Sequence, residues 1–252
     1  MKISGLSDRG MVRKNNQDSY AFNETDSFVL GVVCDGMGGA AAGNKASALA
    51  IRKITEKAMS ELKDDLSSND IKSILRSVIR AANKHIYDTA QNNRAYLGMG
   101  TTAVAFVYMK EKKKAIFVNV GDSRAYIMRG GELIQITEDH SLVFEMLQKG
   151  QITKDEARSH PNRNIITRAI GTDEQIHPDT FETEISDKDK ILLCSDGLTN
   201  MLTDDEILSI LKSGTDAEKT AAELVNRANI AGGADNVTVL IADFDDEGSD
   251  SL

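Results

Sequence analysis

Residues 102–122 read TAVAFVYMKEKKKAIFVNVGD. Two runs rich in β-branched and aromatic residues, 102–109 and 115–120, flank the basic cluster KEKKK at 110–114. Runs of this length and composition are strand signals. The lysine cluster is expected to be a solvated turn between them. Strands joined so closely pair antiparallel, because a parallel pair needs a long crossover. The same signature recurs along the chain. Residues 28–34 (FVLGVVC) form a continuous apolar run that stops at Asp35-Gly36, and 125–128 and 133–136 flank the hairpin signal Gly130-Gly131. Runs at 191–194 and 237–242 complete the set.

Helices fall between these runs in two blocks. Ala46, Leu49, Ala50, Ile54 and Ala58 recur at helical spacing, as do Ile71, Ile74, Leu75, Val78, Ile79, Ala82 and Ile86. No strand signal separates the two. Near the C-terminus, TDDE at 203–206 is a capping-box pattern, and 215–218 repeats it before a helix ending near Gly232. Strands in runs and helices in pairs predict an α+β fold. Its layers are helix, sheet, sheet, helix: two antiparallel sheets flanked by helix pairs, not an alternating βαβ chain. Residues 141–180 differ, with a short amphipathic helix (142–147), a capping-box pattern at 153–156 and the polar string HPNRNIITRAIGT. This segment is expected to stand beside the sheets as a flap.

The 252-residue chain is 40% hydrophobic and 27% charged, an ordinary soluble composition that can bury a sizeable core. It has two prolines, no linker and no repeat, so one domain is expected over 1–243, followed by an acidic tail at 244–252. Cys34 and Cys194 sit in apolar runs and read as buried free thiols. The N-terminus has no apolar signal region, and the apolar runs fall far short of the roughly 20 residues that span a bilayer. A cytoplasmic protein with no membrane association is expected. The net charge of −9 argues against nucleic acid or an anionic membrane as partner. Nothing points to an obligate oligomer, so a monomer is expected.

Chemistry is expected where apolar runs meet aspartates. Asp35 and Asp122 follow runs 28–34 and 115–121, Asp196 follows 191–195, Asp235 precedes 237–242, and Asp18 opens a probable strand. Taken singly, such residues are more often turns or helix caps. Gathered at one sheet edge they would repel each other strongly unless cations neutralised them. Hard oxygen ligands select magnesium or manganese. Glycine after Asp35 and Asp196 lets backbone approach closely, so a carbonyl can join the set.

The strings RKNNQD (13–18), DGMGG (35–39), GDSR (121–124), SDGL (195–198) and GGADN (232–236) occur in the order found in PPM-type (type 2C) metal-dependent serine/threonine protein phosphatases. The chain resembles their compact bacterial members, and HPNRNIITRAIG (160–171) resembles that group's flap. The resemblance implies hydrolysis of phosphoserine and phosphothreonine in proteins by a water bridging two Mn or Mg ions. Asp35 would bridge the metals, with the Gly36 carbonyl on one of them. Asp196 and Asp235 would hold the first metal, and Asp18 would act mainly through metal-bound waters. Asp122 with Asp196 would form a weaker third site, and Arg13 would bind the substrate phosphate. The implied partners are phosphorylated proteins and a eukaryotic-like serine/threonine kinase whose action the enzyme reverses.

Two departures stand out. Met37 occupies the position where some members carry a proton-donating histidine. Ala40 and Asn44 replace a histidine and a glutamate common in bacterial relatives. Of the four histidines none stands in an acid motif, and His140 is expected at the surface or as a helix cap. Asn236 is expected to orient a ligand or to serve in a turn. Rival readings are a two-metal phosphodiesterase or nuclease, which the negative net charge disfavours, and a metal-binding regulatory domain.

Overall fold

The computed structural model describes residues 1–39 and 42–244. The first half of the chain contains β1 (Lys2–Asp8), β2 (Asp18–Glu24), β3 (Phe28–Met37), α1 (Ala42–Glu61), α2 (Ser68–Asn92), β4 (Gly100–Thr101), β5 (Ala103–Met109) and β6 (Lys114–Val120). The second half contains β7 (Arg124–Arg129), β8 (Glu132–Gln135), α3 (Leu142–Gln148), α4 (Lys154–Ser159), β9 (Asp179–Glu184) and β10 (Lys190–Cys194). It closes with α5 (Asp196–Thr199), α6 (Asp204–Ser213), α7 (Ala217–Ile230) and β11 (Val237–Asp243).

The strands form two antiparallel sheets. One runs β1-β11-β10-β7-β8, and the other β2-β3-β5-β6-β9, with β4 pairing on the end of β3. In β3, Leu30, Val32 and Cys34 pack with α1 and α2, while Val29 and Val33 join the layer between the sheets. In β5, Ala105 and Val107 face the helices, and Val104 and Phe106 face the other sheet. Both faces are buried, so the runs are apolar without alternation. The outer face of the first sheet packs Leu192, Val239 and Ile241 on Ile207, Leu211 and Leu224 of α6 and α7. Gly31 sets the sheet spacing: a Cβ there would lie 2.4 Å from Phe106 and 2.8 Å from Leu240.

The KEKKK cluster is the turn between β5 and β6, as expected. Gly130 (φ 58°) and Gly131 (φ 85°) turn β7 into β8, in the left-handed region that a tight hairpin requires. Thr203 and Glu206 form their capping box. The expected box at 215–218 does not form. Asp216 caps α7 instead, accepting from the backbone N–H of Glu218 and Lys219, because a carboxylate one residue later reaches the same orphan donors. Edge strands β1 and β9 are additions to the expected set. β9 opens at Asp179, so the polar excursion rejoins the sheet at its last residues. Phe244, placed in the tail from sequence, packs edge-on against Tyr108 at 4.7 Å, and residues 245–252 lie outside the described residues. No helix among the described residues is long and apolar enough to cross a membrane.

Candidate metal centre

The five aspartates come from corresponding ends of both sheets. Asp18 and Asp35 are register partners across β2 and β3. Asp122 lies in the turn between β6 and β7, Asp196 opens α5 with one residue between it and β10, and Asp235 stands with one residue between it and β11. Each apolar strand stops there because the next side chain enters a polar edge shared with the opposite sheet. Gly36 closes the floor. A Cβ on it would lie 2.2 Å from the Gly43 carbonyl oxygen and 2.6 Å from that of Gln17, so only glycine lets β2, β3 and α1 meet.

Electrostatics place these carboxylates in one field. Burial, then the charges of Asp18, Asp196, Asp122 and Asp235, push Asp35 well above the usual carboxylate range. Burial and Asp196 push Asp122 well up, and burial and Asp235 raise Asp196. Burial lifts Asp18 to about 6, against the bond from Ser195. Two oxygens, Asp18 Oδ1 and Asp196 Oδ1, are buried without a hydrogen-bond partner. Unpartnered buried carboxylate oxygens are costly, and a cation is the partner that suits them. Among the described residues, no group of three or more His, Cys, Asp or Glu side chains forms a ready-made metal cage. Asp235 Oδ2 accepts from Arg13 Nη2 at 2.6 Å, and Asp196 Oδ2 from Asn200 Nδ2 at 2.9 Å. The donor set, all oxygen and rich in negative charge, fits a hard divalent cation.

The comparisons bear on this edge. Residues 11–232 match the family model of protein phosphatase 2C. The chain belongs to the protein phosphatase 2C family. It is 41% identical over 239 residues to the serine/threonine phosphatase stp of Listeria monocytogenes, covering 94% of each chain. A serine/threonine phosphatase of S. agalactiae superposes with a TM-score of 0.88 at 37% identity, over 95% of this chain and 98% of that one. The catalytic domain of the serine/threonine protein phosphatase PstP, solved in complex with two manganese ions, gives 0.82 at 36% identity, over 97% and 98%. Serine/threonine protein dephosphorylation is therefore the activity of this phosphatase's relatives.

Several residues of this phosphatase 2C site were assigned no role from sequence or a different one. Ser195, fully buried, donates to Asp18 Oδ2 at 2.7 Å and accepts from the Thr238 N–H at 3.0 Å. Thr102 Oγ1 accepts from the Asp35 N–H at 2.9 Å and stands 2.7 Å from Ser123 Oγ, tying β3 to the Asp122 turn. His140 is neither a surface residue nor a cap, since Ser141 caps α3 and His140 is 5% exposed. Its Nδ1 accepts from the Gly121 N–H at 3.1 Å, which leaves Nε2 as the protonated nitrogen, 2.9 Å from Asp179 Oδ2. Burial holds His140 below its ordinary range, so the neutral form carries this bridge. Asn44 is exposed on the first turn of α1, and Ala40 lies outside the described residues. A cavity of about 490 Å³ runs from Asp122 and Asp196 to Phe144, Leu147 and Arg158 on α3 and α4.

Proposed function

We propose that this chain is a protein-serine/threonine phosphatase whose domain spans residues 1–243, with 141–180 as its flap. The observation that carries the site assignment is the set of aspartates at one end of both sheets, where desolvation and a neighbouring aspartate's charge raise Asp35, Asp122 and Asp196. Asp35, Asp196 and Asp235, with the Gly36 carbonyl, would hold manganese or magnesium ions, with Asp18 and Asp122 completing the shell. Bound there, a divalent pair supplies a nucleophile at neutral pH and neutralises charge on the phosphoryl oxygens.

The chain's own groups do the rest. Arg13 offers a planar donor fork to the phosphate. Its present partner is easily exchanged: the Arg13–Asp235 pair is 53% and 32% exposed, and such pairs contribute about 0–1 kcal/mol. Ser195 fixes Asp18, and Thr102 fixes the Asp35 backbone. Met37 has no proton to give, and both ring nitrogens of His140 are engaged, so a water at the site would serve as the leaving alkoxide's proton source in their place. The cavity beside Asp122 and Asp196 is open to the protein chain around the phosphorylated residue. The expected setting is the cytoplasm, as a monomer acting against a eukaryotic-like serine/threonine kinase.

The test is phosphate release from a phosphothreonine peptide by metal-stripped protein, with manganese, magnesium or no metal, beside Asp35→Ala, Asp196→Ala and a phosphodiester substrate. Metal-dependent release lost in folded variants is expected. A folded, metal-loaded protein that cleaves only the diester would overturn the reading.

A further inference from the structure

The loop that carries Arg13 has little of its own to hold it. Residues 11–15 are exposed, with Met11 and Val12 each 68% accessible, so apolar packing does not fix its shape. The Met11 and Val12 N–H groups donate to the Gly233 carbonyl at 2.8 and 3.3 Å, and Asn16 Nδ2 donates to Ser7 Oγ at 2.8 Å. The Gln17 carbonyl accepts from the Gly36 N–H at 3.1 Å and the Ser47 hydroxyl at 2.6 Å, and one further side chain spans the loop. Asn236 is 5% exposed, and its Oδ1 accepts from the Gln17 N–H at 2.8 Å. Its Nδ2 donates to the Arg9 carbonyl at 2.8 Å and to the Asn15 carbonyl at 2.9 Å. Both amide protons and the amide oxygen are thereby used, and they grip the loop on either side of Arg13. No carboxylate can repeat this, since it has no proton for the two carbonyls. The neighbouring Asp235 is the acceptor of Arg13, and the Asn236 N–H donates to Asp235 Oδ1 at 2.8 Å. Backbone jams the same corner. A Cβ on Gly10 would lie 2.1 Å from the Asp235 carbonyl oxygen, and one on Gly197 would lie 1.9 Å from that of Asn236.

We propose that Asn236 is the positioning residue for Arg13: its side-chain amide sets the 9–17 loop so that the guanidinium meets the substrate phosphate. This rests on the reading of Arg13 as the phosphate-binding residue. Asn236 itself touches no substrate. Its removal should weaken phosphate binding through Arg13 alone, in ground state and transition state alike, which raises KM and spares kcat.

The experiment compares Asn236→Ala, Asn236→Asp, Arg13→Ala and the Arg13→Ala/Asn236→Ala double variant in manganese. It measures kcat and KM on a phosphothreonine peptide and the inhibition constant of inorganic phosphate. Arg13→Ala should raise KM and the phosphate constant by about tenfold or more, the loss of a charged hydrogen bond. Asn236→Ala and Asn236→Asp should each raise both by about tenfold with kcat changed by less than about twofold, and the double variant should match Arg13→Ala within about twofold. In metal-free protein, amide exchange at Gln17 should speed up in the Asn236 variants and not in Arg13→Ala. If Arg13→Ala leaves both constants unchanged, the reading of Arg13 falls and the inference with it. If Arg13→Ala acts but Asn236 losses are absent, add fully to it, or fall on kcat, only the inference falls. Failure of both Asn236 variants to fold would assign the residue to the fold and also overturn the inference.

Discussion

Aspartates wholly or partly withdrawn from solvent occur in this molecule in two kinds. Asp139, Asp189 and Asp243 each have a cation: Arg124 at 2.6 Å, Arg129 at 2.6 Å and Lys190 at 2.9 Å. Asp18, Asp35, Asp122 and Asp196 share one end of the sheets, and the charge of a neighbouring aspartate raises each of them. The fold can neutralise a buried carboxylate and does so repeatedly. At the edge it gathers like charges instead. Such an arrangement costs stability and is kept where a site needs it. The difference separates aspartates that hold the fold from aspartates that wait for a ligand.

The comparison breaks most sharply at Asp35. Asp35→Asn should cut peptide phosphatase activity on the order of 10³-fold, several kcal/mol of lost charge stabilisation. The same substitution relieves repulsion, so the metal-free variant should melt above metal-free wild type by differential scanning calorimetry. A lower melting temperature would place Asp35 with the structural kind. Arg124→Met should do the opposite. It strands Asp139 without its partner and should cost about 3 kcal/mol, or ~6–12 °C for a chain this long, read by thermal denaturation.

Metal binding should act on one kind alone. At a manganese concentration of about 100 Kd, wild type should gain about 2.7 kcal/mol in denaturant unfolding. Asp35→Asn and Asp196→Asn should lose most of that gain, and Asp189→Asn should keep it.

The smallest effect concerns pH. Asp18 titrates near 6 in the folded chain against an ordinary 3.8, so the native state retains a proton that the unfolded chain has released in that window. Metal-free stability should therefore rise as pH falls from about 6 toward 4, and fall as pH rises through 6. His140 opposes this. Its folded pKa lies below the ordinary 6.5, so its contribution is present above 6.5 and is lost as pH falls. Melting in Asp18→Asn and His140→Asn variants across this range separates the two, and the slopes should change in opposite directions.

The same contrast explains what was legible in the sequence. β3, β5 and β6 are buried on both faces, so their apolar runs declare themselves without tertiary information. β1 and β9 are edge strands whose residues are mostly part-exposed, and KISGLSD and DTFETE contain no apolar run. The site aspartates were visible because each interrupts or opens an apolar run. Their pairings were not. Ser195 meets Asp18 and His140 meets Asp179 only after folding, across 177 and 39 positions of chain, and no local pattern encodes such a meeting. Asn236 stood in a noticed motif, but its partners, Arg9, Asn15 and Gln17, are at the other end of the chain.

The register of β1 on β11, from Lys2↔Asp243 to Asp8↔Val237, has a consequence for the newborn protein. Among the described strands β1 is made before all the others, and its only sheet neighbour is β11, the last of them. It must wait unpaired while the rest of the chain is made, at about 5–20 residues per second. Asp18 and Asp35 can pair early, but Asp235 and the Asn236 grip on the Arg13 loop arrive with the final strand. A nascent chain thus has no closed first sheet and no complete aspartate set until β11 has been made, and a product cut short before β11 keeps neither.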